Sequence, residues 1–323
     1  MPIKFVPLSL GAQGISELTG GEWQASLSYR YLFADDGYLG TKKFPGYDNF
    51  PGNRITINSV DLQVTYAFTP RYSVSLTAPF LHGTISDKVS HNGVRHTTEA
   101  DGMGDLWLVG NAWLLDPGEY RDGNISLGLG IKAPTGNWAA TDTFYKSTGP
   151  QKRAVAVPIQ PGDGGWGAPV ELLAYQKVYS RLYGYLSGFY LFNPRNRNGT
   201  LTPFPLYGEF QKNSVPDQYQ GRGGFSYIVW PEQQLSASFG VRIDGIPPND
   251  AIGGSAGFRL PGYSLDVEPG VSWTYGKNTL NIFVPVLVQA DKQSSPLDNQ
   301  NNSPGPPAAF ADWVMIASYS RRF

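Results

Sequence analysis

The chain has 323 residues, a formal net charge of −1 and no cysteine, which excludes a disulfide frame, a thiolate metal site and a thiol nucleophile. Charged residues make up only 16%, aromatic residues 14%, with 39 Gly and 26 Pro; this suits many strands joined by turn-rich connections rather than helices. No Lys/Arg run marks a nucleic-acid surface, and no stretch reaches the roughly 18 apolar residues of a membrane-crossing helix.

The opening "MPIKFVPLSLGAQG" lacks the apolar core and cleavage site of a signal peptide, so for an exported protein the numbering is expected to begin on the mature chain. Residues 1–21 are read as a segment preceding the first strand. Strict alternation then begins: Trp23, Ala25, Leu27, Tyr29, Tyr31 and Phe33 share one face, opposite Gln24, Ser26, Ser28 and Arg30. The same rhythm recurs at 60–68, 72–80, 124–134, 166–178, 182–192, 219–230, 235–244, 263–275, 279–289 and 311–323. At 105–115 it is blurred, because Trp107, Val109 and Trp113 share a face with Asp105 and Asn111. About twelve strands result, each near the 9–11 residues that cross a bilayer at a tilt.

The connections alternate strictly. Short ones fall at 69–71, 116–122, 179–181, 231–234 and 276–278; long ones fall at 35–55, 87–104, 135–165, 194–218, 245–262 and 290–310. That is the rhythm of an all-β, transmembrane, antiparallel up-and-down barrel with short periplasmic turns and long extracellular loops. The competing soluble β-sandwich also alternates, but gives no reason for such connections. The predicted architecture is one outer-membrane barrel domain over 1–323, embedded among outer-membrane lipids and lipopolysaccharide.

The chain ends "DWVMIASYSRRF", with Trp313, Met315, Ala317, Tyr319, Arg321 and Phe323 on one face. In a closed barrel the last strand pairs with the first, so an abrupt aromatic end is reasonable. Tyr319 and Phe323 resemble the C-terminal signal by which bacterial outer-membrane proteins engage the barrel-assembly machinery; Arg321 departs from that apolar pattern.

The faces turned away from lipid supply the candidate solute path: Arg30, Asp61, Trp107, Lys132, Glu171, Arg222, Arg242, Asp244, Glu268 and Phe283, with Asp105, Asp266 and Lys177 among further charged positions. Both signs are present, so the lumen reads either as a barrel braced by ion pairs or as a narrow channel. Inward apolar residues such as Leu32, Leu81, Trp107 and Phe283 fit a path for apolar solutes and fit simple packing equally well. Segment 135–165, with Trp138, Phe144, Tyr145 and Lys152, is long for a connector and is expected to fold inward as a constriction.

Catalytic and metal readings are weaker. His82, Thr84 and Ser86 continue the lipid-facing series of 72–80, where a rim lipase would place its residues, yet no Ser–His–Asn set is identifiable. His91 and His96 lie near Glu99 and Asp101 without the spacing of a metal site. "GDGGWG" is followed by no helix and is not a phosphate cradle. Neither a metal nor a cofactor is expected.

"GMGDLWLVGNAWLL" (102–115), "ISLGLGIKAPTG" (125–136) and "GDGGWGAPVELLAYQK" (162–177) resemble the signature of the bacterial MetA-pathway-of-phenol-degradation family. The resemblance covers the middle third of the chain by motif and the rest by strand rhythm. It implies an outer-membrane barrel concerned with uptake of aromatic or other apolar compounds. The expected function is a channel or facilitator for small solutes; the alternatives are a plugged structural or adhesive barrel and, behind it, a lipase.

Overall fold

The computed structural model describes residues 18–47 and 52–323. Nearly all of the predicted N-terminal segment 1–21 lies outside them. Twelve strands form the barrel: β1 Trp23–Ala34, β2 Arg54–Ala67, β3 Tyr72–Asp87, β4 in two pieces (His96–Met103 and Leu106–Trp113), β5 Gly123–Ala133, β6 Ala168–Tyr179, β7 Leu182–Phe192, β8 Gln218–Trp230, β9 Leu235–Ile246, β10 Gly262–Tyr275, β11 in two pieces (Asn278–Phe283 and Val286–Lys292) and β12 Val314–Arg322. Each pairs antiparallel with its neighbours, and β12 returns to β1 with Gln24 opposite Arg322. The Phe323 N–H donates to the Trp23 carbonyl at 2.8 Å, so the ring closes at the last residue. Closure pairs the backbone groups that an open edge would leave bare in lipid.

The pattern of exposure is inverted relative to a soluble sandwich. Leu129 (68% exposed), Val288 (63%) and Phe239 (61%) look outward, while Lys132, Glu268 and Asn281 on the inner faces are fully buried. Only a hydrocarbon solvent around the barrel makes that arrangement favourable. Aromatic pairs mark both ends of the apolar band: Trp23–Tyr66 and Trp273–Tyr275 near the short turns, Tyr31–Trp313 and Tyr190–Phe192 near the long loops. Among the described residues no helix is long and apolar enough to cross a membrane.

Two strands are interrupted. In β4 the pairing with β3 breaks at Gly104–Asp105, and the outer piece pairs on from Phe80↔Met103 to Asp87↔His96. Residues 96–103, expected as loop, are therefore strand, and the true connection is only 88–95. Their "HTTEADGM" has no apolar alternation because this part of the hairpin stands beyond the apolar band. In β11 the break falls at Val284–Pro285; Pro285 has no N–H to donate, and pairing with β10 shifts by one residue between Leu265 and Asp266.

The long loops carry structure of their own. Residues 36–39, 42–43 and 308–310 form a small sheet above β1 and β12. Thr141–Lys146 and Gly149–Ala154 form a hairpin, and Arg197–Leu201 pairs with Lys212–Ser214. A one-turn helix, Pro296–Gln300, is capped by Ser295.

Candidate functional site

The lumen has two zones. Toward the short turns it is lined by Ser, Thr, Asn and Gln, which bond one another along the wall: Thr65 to Ser75 (2.9 Å), Gln63 to Thr77 (3.0 Å), Asn281 to Ser318 (3.2 Å). Toward the long loops the wall carries charge, aromatic rings and aliphatic side chains. The change follows the strands upward from residues such as Ser28 and Ser318 to Arg30 and Ile316.

The ionic belt sits on β8, β9 and β10. Arg222 and Arg242 are direct cross-strand partners, a repulsive pairing on its own. Glu268 resolves it: Arg222 Nη2 approaches Oε1 at 2.5 Å and Arg242 Nη1 donates to Oε2 at 3.2 Å. Arg242 also grips Asp244 through Nε (2.6 Å) and Nη2 (3.2 Å), and Gln220 donates to the same carboxylate at 2.9 Å. Asp266, opposite Arg242, accepts from Ser264 at 3.0 Å. These pairs run along the wall, Arg222 reaching over β9 at Gly240 to Glu268 on β10, so the belt braces one side of the barrel. Across it, Arg30 donates from Nε to Ser59 at 3.2 Å, and Asp61 lies one inward position further along β2, buried, with no hydrogen bond to its Oδ1.

Two contacts do cut across the lumen. The Arg222 guanidinium lies 4.3 Å from the Phe283 ring centroid and 5.5 Å from that of Tyr185. Phe283 rests where a side chain on Gly270 would be, and a Cβ on Gly240 would meet the Tyr185 hydroxyl at 2.5 Å. On the other side Trp107 of β4 and Phe189 of β7 meet edge to face at 5.8 Å, spanning two intervening strands, of which β5 presents Gly128 and Gly130 beside Lys132. Inward glycines thus make room for rings to lean across the barrel.

Lys132 stands apart from the belt. Its ammonium, fully buried, contacts Asp163 and lies 3.6 Å from Asp105. Asp105 accepts from the N–H groups of Gly136 (3.0 Å) and Asp163 (3.1 Å), so the pair of carboxylates and the lysine pin both ends of 135–165 to the barrel. Asp163 was not among the candidates; its Gly-rich setting was the available signal. A Cβ on Gly136 would meet Gly162 at 2.8 Å, and Gly164, at φ +82°, lies under Trp138. Glu171 faces the lumen between Gly128 and Phe189 and makes no ion pair among the described residues. Lys177, expected in the lumen, is at the periplasmic rim instead, 3.1 Å from Asp122, because β6 ends there. His82 faces outward beside Asn58 and Asp101; Asn58 is engaged by the Tyr29 hydroxyl at 2.7 Å.

Between its pinned ends, segment 135–165 first rises as the hairpin and then descends. Val155 and Ile159 are fully buried in a cluster with Leu32, Ile55, Ile57, Leu81 and Ile85, which are inward positions of β1, β2 and β3. Ile159 lies against Gly83, whose Cβ would meet it at 2.7 Å. The hairpin above is tied to the 88–95 turn: His91 stacks on Phe144 (5.2 Å, 13° between planes), His96 stacks on Tyr145 (4.1 Å), and the Tyr145 N–H donates to His91 Nδ1 at 3.1 Å.

No family model matches the chain, and no curated protein matches it. Among solved structures it is similar to the COG4313 outer membrane channel from Pseudomonas putida F1: TM-score 0.62 at 15% identity, over 95% of this chain and 97% of that one. The β domain of the Bordetella autotransporter BrkA gives 0.48 at 10% identity (95% and 100% covered), and the CymD monoaromatic hydrocarbon channel 0.44 at 7% (97% and 91%); scores at that level carry no weight. The first match establishes the fold. The chain is a closed, twelve-stranded antiparallel β-barrel of the outer-membrane type.

Proposed function

We propose that the barrel is an outer-membrane channel for passive passage of small solutes, with apolar or aromatic compounds as its cargo. The observation that carries this reading is the composition of the narrowing. The charges of the β8–β10 belt are engaged along the wall, while the groups that narrow the lumen are rings (Trp107, Phe189, Phe283) and the segment of Val155 and Ile159 packed against β1–β3. Such a lining binds apolar bodies and gives an ion little in exchange for its water. Segment 135–165 acts as the constriction, and Arg30, Asp61, Lys132, Glu171 and the belt set its electrostatics.

Support also comes from the likeness to a solved structure described as an outer membrane channel. In this reading the protein makes and breaks no bonds. Insertion uses the aromatic end, Tyr319 and Phe323, for the assembly machinery, and lipopolysaccharide surrounds the outer half.

The test is single-channel recording of the refolded protein in a planar bilayer. Small stable conductance that falls on addition of toluene supports an open path with an apolar lining. Silence from protein shown to be folded by its heat-sensitive gel mobility would leave a sealed barrel and overturn the proposal.

A further inference from the structure

Glu171 of β6 and Asn111 of β4 face the lumen on either side of Gly128 of β5, which is the cross-strand partner of both. Gly128 has no side chain to hold them apart. The place its Cβ would occupy is 2.6 Å from Asn111 Oδ1, 3.0 Å from Glu171 Cβ and 3.2 Å from Val109 Cγ1. Two oxygen-bearing side chains thus converge over a glycine. Neither makes a hydrogen bond or an ion pair among the described residues. Both are only half-buried, so part of each borders the space inside the barrel.

The surroundings are apolar. Leu173, the next inward residue of β6, is half-buried; Phe189 is the partner of Glu171 on β7, and Trp107 meets Phe189 edge to face. The cations of this wall are engaged elsewhere: Lys132, two inward positions along β5, with Asp163 and Asp105, and Arg222 with Glu268 at 2.5 Å. Gln220, beyond Phe189, donates to Asp244 at 2.9 Å. A carboxylate held away from bulk water calls for a counter-charge or water. An ionised carboxylate and an amide oxygen can only accept hydrogen bonds. Their complement is a positively charged group with at least two N–H donors, small enough to lie over Gly128 and joined to an apolar body.

We propose that Glu171 and Asn111 form a binding site for primary ammonium ions carried on aromatic or other apolar bodies, arylalkylamines in particular. The ammonium donates to the Glu171 carboxylate and to Asn111 Oδ1 over Gly128, and the body lies against Leu173 beside Phe189 and Trp107. The inference rests on the channel reading and adds to its apolar cargo the members that carry an amine.

Fluorine NMR at neutral pH on the protein in phosphatidylcholine nanodiscs, with empty nanodiscs as the partition baseline, tests it with four probes of one ring: 4-fluorobenzylamine, its N,N,N-trimethyl derivative, 4-fluorotoluene and 4-fluorobenzoate. The amine is expected to bind about tenfold tighter than the hydrocarbon and about threefold tighter than the trimethylammonium, which keeps the charge but has no N–H, with the carboxylate weakest. Glu171→Gln should cut amine binding about tenfold and leave the hydrocarbon unchanged, and Asn111→Ala should cut it about threefold. An amine no tighter than the hydrocarbon, a trimethylammonium that equals it, amine binding that neither substitution weakens, or no binding of any probe above empty nanodiscs would each overturn the site. Equal binding of amine and hydrocarbon in a conducting protein removes the ammonium site and leaves the channel. Amine preference in a protein that never conducts removes the channel and leaves the site.

Discussion

Glu268 is the residue on which the ionic belt turns. It forms ion pairs with two arginines that the register of β8 and β9 forces side by side, and accepts a hydrogen bond from Arg242. Replacing a buried ion pair wholesale can be neutral, whereas removing one member leaves uncompensated charge. Glu268→Ala is therefore expected to destabilise the barrel by about 3 kcal/mol, read as a lower urea midpoint for unfolding in lipid vesicles; Glu268→Gln should fall between it and the parent. The rings make a different claim. Phe283→Ala and Trp107→Ala each remove a group that reaches across the lumen, so single-channel conductance should rise in both. Unchanged conductance would place the narrowest point elsewhere. None of these couplings was legible from the chain beyond the inward face: alternation puts Arg222, Arg242 and Glu268 inside, but which carboxylate meets which guanidinium depends on the stagger between strands.

The hairpin 141–154 is the element whose behaviour should depend on pH. His91 is fully buried at its base, accepting the Tyr145 N–H on Nδ1. Burial, first of all, holds its imidazole below the ordinary value of 6.5, with His96 and Lys146 adding to the depression and Asp87 and Asp142 opposing it. With the attached-state value lowered, the detached hairpin binds the proton more readily. The attachment is at full strength above pH about 6.5 and weakens as pH falls through the window down to the depressed value. Hydrogen exchange of residues 141–154 should be slow at pH 7.5 and faster at pH 5; in His91→Gln that acceleration should shrink. Because the hairpin leads directly into Val155–Ile159, the same acidification should raise conductance fluctuations. The element was visible in the sequence only as a segment too long for a connector. Apart from Phe144 and Tyr145 its strands are mostly polar, and they lack the alternation that betrays a membrane strand.

At the scale of the whole molecule, the inward carboxylates Asp61, Asp105, Asp163, Glu171, Asp244, Asp266 and Glu268 outnumber the inward cations Arg30, Lys132, Arg222 and Arg242. Whatever small ions leak through should therefore be cations before anions, since a water-poor lumen keeps counter-charge nearby. A reversal potential in a potassium chloride gradient reads this directly. Glu171→Gln should reduce the cation preference, because that carboxylate has no ion-pair partner among the described residues to release; anion preference in the parent would contradict the charge assignment.

Amino-acid order alone determined the class of fold, the strand number, the lipid-facing residues and the closure of the last strand on the first. Those properties follow from a two-residue side-chain period and from connection lengths, both of which are local. The tertiary structure decided how the lumen is filled: that 155–163 descends into it, that Asp163 rather than a strand residue completes the Lys132 site, and that glycines on β5, β9 and β10 let rings lean inward. It also decided that Asn111 and Glu171, sixty positions apart on different strands, meet over Gly128. Such contacts join residues distant in sequence through the barrel's curvature and stagger, and no local pattern carries that information.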